Sequence, residues 1–123
     1  MNAHTQARNI YAASFVTTKT TRSIEFSVLA KTTRQLQQAA QNKSENFPHF
    51  VQALNNNRNL WSIFMNDLYD PDNGLDQNLK IQLIELGHFV QKQTSKILGE
   101  KGSVRPLLDI NAAILRGLKD GPK

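Results

Sequence analysis

The chain has no cysteine among its 123 residues. That excludes a disulfide framework, a zinc–thiolate centre and a thiol nucleophile together. No apolar run approaches the ~20 residues that a membrane-spanning helix requires. The longest near the N-terminus, residues 10–16, follows Arg8 and is broken by Ser14, so it does not read as a secretory signal. The expected compartment is therefore the cytoplasm. Glycine is scarce, at six residues, and none forms a phosphate-cradling loop before a helix. Segments with the two-residue period of a strand are missing as well.

What remains is the size of one ordinary domain: 13.9 kDa, with 39% hydrophobic residues to build a core. The formal net charge is +5, unevenly placed. Residues 1–45 carry six basic and two acidic side chains, residues 46–100 four and six, and residues 101–123 five and two. Basic ends around an acidic middle would suit an anionic partner. The basic residues are dispersed, however, with no RGG run and no interleaved aromatics of the RNA-binding kind. Solvated charge is the simpler reading.

The pattern predicts an all-α fold, an irregular four-helix bundle with a flexible N-terminal arm. Residues 1–19 form that arm, residues 20–118 the helical domain and residues 119–123 a disordered tail. Within the arm, Ile10, Tyr11, Phe15 and Val16 make an apolar island that lies on the domain or is kept for a partner. A first helix over about 23–41 has Phe26, Leu29, Thr33, Leu36 and Ala40 at intervals of three and four. A second, over about 48–69, begins with Pro48 in its first turn and carries Leu54, Arg58, Trp61, Met65 and Leu68 as its stripe. Its amides Asn55, Asn56, Asn57 and Asn59 are poor helix formers.

The string Asp70-Pro71-Asp72-Asn73-Gly74 is the clearest turn, and Asp76 reads as the N-cap of a third helix over about 77–98. Leu79, Leu83, Leu86, Val90 and Ile97 form one seam of that helix; Ile84 and Phe89 add a second strip. Gly87 in mid-helix marks a close helix approach, and Gly99 and Gly102 are the expected stops at the C′ position. Ser103 caps a fourth helix to about residue 118, with Pro106 in its first turn.

Catalysis needs a convergent nucleophile, base and stabiliser. His4, His49 and His88 are far apart, and no serine sits in a Gly-x-Ser-x-Gly elbow. The carboxylates of the 70–76 turn miss the EF-hand spacing, because position 81 is Ile where a ligating glutamate is needed. The expectation is a protein with no enzyme activity, no metal and no cofactor. Trp61 serves as core or as an interface anchor, with the stripe favouring core.

Four strings in register carry a resemblance. They are Asn57-Arg58-x-Leu60-Trp61 at the end of an Asn run, Asp70-Pro71-x-Asn73-x-Leu75, Pro106-Leu107-Leu108-Asp109-Ile110-Asn111 through Ile114 to Gly117-Leu118, and Arg22-x-x-Glu25 before a basic helix. Over residues of about 20–118 the chain resembles the FlaF flagellar biosynthesis regulators. One departure is Asp76, where many relatives carry proline; either starts a helix.

The resemblance implies a non-enzymatic cytoplasmic helper in flagellar assembly, linked to flagellin production and export beside a partner regulator, FlbT, that restrains translation of flagellin mRNA. A chaperone-like role would use an apolar strip to receive an amphipathic flagellin helix at i, i+3, i+4 and i+7. The residues nominated for that contact are Asn57, Arg58, Trp61, Phe89, Asp109 and Asn111. Asn111 is equally readable as a buried amide bonded to the Asn-rich helix. The alternative is translational control, with Arg22, Lys31, Arg34, Arg116 and Lys119 touching the message directly or through FlbT.

Overall fold

The computed structural model describes the backbone of residues 18–120 and the side chains of residues 25–117. Four helices follow in order: α1 Thr18–Gln41, α2 Phe47–Tyr69, α3 Gln77–Leu98 and α4 Arg105–Asp120. No strand occurs among the described residues. The all-α expectation holds, and the arm expected over residues 1–19 lies outside the described residues except for its last two. Those two are already helical, since α1 begins at Thr18 rather than near residue 23. At the other end, α4 runs to Asp120 and takes in the first two residues of the expected tail.

Local chemistry sets the boundaries. Asn46 caps α2, its side-chain oxygen accepting from the His49 N–H at 3.2 Å, and Pro48 occupies the first turn, where its missing N–H costs nothing. Asp76 caps α3 by accepting from the N–H groups of Asn78 and Leu79. Ser103 accepts from the Arg105 N–H at 3.1 Å where α4 begins.

The end of α3 departs from expectation. Gly99 is the C-cap with φ −86°, and the left-handed residue is Glu100, at φ 61°. The Glu100 N–H donates to the Ile97 carbonyl at 2.8 Å and the Lys101 N–H to the Lys96 carbonyl at 2.9 Å. That pair of bonds is a Schellman motif built on glutamate, at a position that favours glycine. Gly102 serves another need: a Cβ there would lie 3.2 Å from the Gln93 amide nitrogen, which itself donates to the Ser103 carbonyl at 2.8 Å.

The helices run up and down in turn. Arg58, Ser62 and Met65 of α2 face Ser95, Gln91 and Gly87 of α3 respectively, so the two are antiparallel. Each helix packs on its sequence neighbours, and α4 closes the bundle against α1. A Cβ on Gly87 would sit 2.6 Å from Cγ of Met65, which is why the helices meet closely there. The main apolar cluster joins Leu36 and Ala39 of α1, Phe50 and Leu54 of α2, Ile97 of α3 and Leu107 of α4. All six lie toward the end closed by the 42–46 and 99–104 connections. Trp61 and Val90 extend the cluster toward the middle.

Candidate functional site

At mid-bundle the apolar core gives way to a polar knot. Asn57 and Trp61, one turn apart on α2, point inward with the Asn111 side chain of α4, and all three are essentially inaccessible to solvent. The Trp61 indole N–H donates to Oδ1 of Asn111 at 2.9 Å. The Asn111 amide nitrogen donates both ways, to Oδ1 of Asn57 at 2.8 Å and to the Thr33 hydroxyl of α1 at 3.0 Å. The Thr33 hydroxyl in turn donates to the Leu29 carbonyl at 2.7 Å. One amide of α4 thereby ties three helices, with its acceptor and both donors engaged. Nδ2 of Asn57 alone has no partner.

Asn57, nominated for a partner surface, lies instead in the interior; Asn111 takes the buried-amide reading of its two, and Trp61 the core reading that its stripe favours, its ring also meeting Phe64 edge-on at 5.8 Å. Burying an indole N–H or an amide without a partner is costly, and each supplies what the others need. The stripe of α2 differs accordingly. Asn57 rather than Arg58 takes the inward position between Leu54 and Trp61. The signal was present, since Asn57 stands three residues after one and four before the other. Thr33, the fourth member of the knot, belongs to the α1 seam, and nothing in its spacing marks it as a bonding partner of Asn111.

Arg58 is half-buried on the α2–α3 seam. Its guanidinium donates to the Gln91 carbonyl at 3.0 Å and to the Ser95 hydroxyl at 2.7 Å, while Nε lacks a partner. It tethers α2 to α3 and offers little to a second molecule. Asp109 is exposed and pairs with Arg105 one turn earlier at 2.9 Å.

Phe89 is the nominated apolar residue that does reach the surface, at 42% exposure. Ile81, eight residues earlier and 46% exposed, lies on the same outward side of α3. Glu85 and His88 flank them, and the His88 ring nitrogen lies 3.3 Å from the hydroxyl of exposed Tyr69.

Of the alternative, basic set, Lys31 and Arg34 of α1 and Arg116 of α4 are exposed. The side chains of Arg22 and Lys119 lie outside the described residues. Since α1 packs on α4, the exposed members stand on adjoining helices. Among the described residues no group of three or more His, Asp or Glu side chains is arranged to hold a metal. None of the helices there is long and apolar enough to cross a membrane.

These features define an antiparallel helical bundle locked by a buried amide–indole knot, with three of its exposed large apolar side chains, Leu79, Ile81 and Phe89, on α3. The family model described as Flagellar protein FlaF matches residues 7–118, and the chain belongs to that family. The match reaches further toward the N-terminus than the motifs did, taking in residues ahead of α1. No curated protein and no solved structure matches the chain.

Proposed function

We propose that this flagellar protein is a cytoplasmic, non-enzymatic factor that binds flagellin in a chaperone-like manner and promotes its synthesis and export. The observation that carries the reading is the outward strip of α3. Phe89 and Ile81 stay exposed although the chain has a core in which to bury them. Two large apolar side chains spaced two turns apart match the way a groove or strip receives an amphipathic helix. Membership of a flagellar family directs attention to flagellin, whose helices must be kept from premature assembly.

Translational control is the second reading, favoured by exposed Lys31, Arg34 and Arg116 on the adjoining helices α1 and α4. Contact with flagellin mRNA, directly or through FlbT, would run through those residues. It would be salt-sensitive, since counterion release dominates binding to phosphate backbones.

Calorimetric titration separates the two. Monomeric flagellin and flagellin-leader RNA are titrated in parallel at two salt concentrations. The chaperone reading expects flagellin binding that salt hardly changes and that carries a negative heat-capacity change. Silence with flagellin, together with RNA binding that falls steeply with salt and is lost on reversing the charges of Lys31 and Arg34, would move the function to translation.

A further inference from the structure

The turn between α2 and α3 holds the one asparagine of the sequence that glycine follows, Asn73 before Gly74. The fold does not call for that glycine. Its φ lies outside the left-handed region, and a Cβ there would meet no atom within 4 Å. What glycine supplies is an unshielded backbone nitrogen. Gly74 is exposed, and its N–H bonds to no group among the described residues.

Asn73, half-buried, is the clasp of the turn. Its amide nitrogen donates to the Asp67 carbonyl at 3.1 Å and to Oδ2 of Asp67 at 3.3 Å. Its Oδ1 accepts from the Leu75 N–H at 2.9 Å. The Asp67 carbonyl belongs to the last turn of α2, where carbonyls run out of intrahelical donors, and it also accepts from the Asp70 N–H at 3.2 Å. Asn73 thus brings a donor to a place crowded with acceptors. Exposed Asp70, Asp72 and Asp76 stand in the same turn.

We infer that Asn73 is a site of spontaneous deamidation, paced by release of this clasp, and that the product cannot refasten it. The Gly74 nitrogen gives its proton to solvent and attacks Cγ of Asn73. The new C–N bond closes a five-membered succinimide; the bond from Cγ to Nδ2 breaks, and Nδ2 takes up a proton and leaves as ammonia. Water then opens the ring at either carbonyl, giving aspartate or isoaspartate. Overall one water is consumed and one ammonia released, with nothing oxidised or reduced. To leave, Nδ2 must first give up both of its bonds to Asp67, so the reaction waits on local opening of the turn. The carboxylate that results has no hydrogen for the Asp67 carbonyl. It would stand beside the Asp67 carboxylate at the negative end of α2, where like charges repel. The inference rests on the chemistry of the turn and does not depend on the proposed binding of flagellin.

Mass spectrometry tests it. The full chain is held in warm neutral buffer made with oxygen-18 water, beside the same chain unfolded in urea, and peptides are analysed over time. The expected result is conversion of Asn73 ahead of every other asparagine, to aspartate and isoaspartate carrying one heavy oxygen. It should run at least threefold slower in the folded chain than in urea. Gly74→Ala should slow the folded chain at least threefold further without lowering the unfolding midpoint, because its Cβ has open space. In the converted chain, the amides of residues 70–76 should exchange with solvent at least threefold faster than in the native chain, and those of residues 99–104 at the native rate. The inference is overturned if the folded chain stays unmodified over the span in which the unfolded chain converts fully, or if it converts just as fast. It is equally overturned if Gly74→Ala converts at the native rate, or if conversion leaves exchange in residues 70–76 unchanged.

Discussion

The middle of the bundle and its turn end solve the same problem in opposite ways. At the middle, three buried polar side chains and the half-buried Thr33 come from three helices, and nearly all of their hydrogen-bonding atoms are satisfied within the bundle. At the turn end, leucines that face the core are left half-covered or exposed among the described residues. The contrast teaches which irregularities of a sequence belong to the fold. A polar residue on an apolar stripe survives burial only with partners, so it fixes the register of the helices that supply them. An apolar residue without cover places no such demand on its own chain and is available to another segment or molecule.

Breaking the middle should cost most. Replacing Asn111 by Leu strands the Trp61 indole N–H and the Asn57 amide in the interior. A loss of about 3–5 kcal/mol is expected, from a penalty of roughly 1–3 kcal/mol for each buried group left unpaired. Urea unfolding followed by Trp61 fluorescence reads this directly, because the reporter is in the knot.

Next is the close approach of α2 and α3. The methyl added by Gly87→Ala would press on Met65, with an expected net loss of about 1–2 kcal/mol after the gain of roughly 1 kcal/mol in helix propensity. In a Met65→Ala background the same substitution should stabilise. A thermal-melt double-mutant cycle would reveal that change of sign. Removing the α2–α3 tether with Arg58→Ala should cost about 1–2 kcal/mol through the lost bonds to Gln91 and Ser95. Native-state hydrogen exchange should show the faster opening in residues 88–98.

Two substitutions sharpen the account in the other direction. Glu100→Gly relieves the left-handed glutamate at the end of α3 and should raise stability by about 0.5–1 kcal/mol, visible as a higher urea midpoint. Asp109→Ala removes an ion pair whose side chains are 64% and 76% exposed, and calorimetric melts should shift by less than about 0.5 kcal/mol.

Much of this structure is legible in the sequence where local chemistry decides. The start of α2 follows from Asn46 and Pro48, and that of α3 from Asp76, because capping acts over three or four residues. The start of α1 was hidden. Its first turns, Thr18-Lys19-Thr20-Thr21-Arg22, have neither a cap nor an apolar period to announce a helix. At the end of α3 the glycines drew attention from Glu100, whose left-handed conformation is held by the Schellman bonds rather than by residue preference.

The candidate site divides along the same line. The spacing of Trp61 favours core, and that of Phe89 sets it on a second strip. The bonding of Asn111 to Asn57 joins residues 54 positions apart, which periodicity offers only as one of two readings. Its bond to Thr33, 78 positions away, depends on how α4 closes against α1 and has no local signature.

The claim that matters most for function is that the outward strip of α3, and not the knot, meets flagellin. The direct measurement is calorimetric titration of monomeric flagellin into the chain carrying Ile81→Ser and Phe89→Ser, beside the native chain. Both residues are more than 40% exposed, so the unfolding midpoint should stay close to native. The account predicts flagellin affinity at least tenfold weaker than that of the native chain. Undiminished affinity in the folded variant would contradict it.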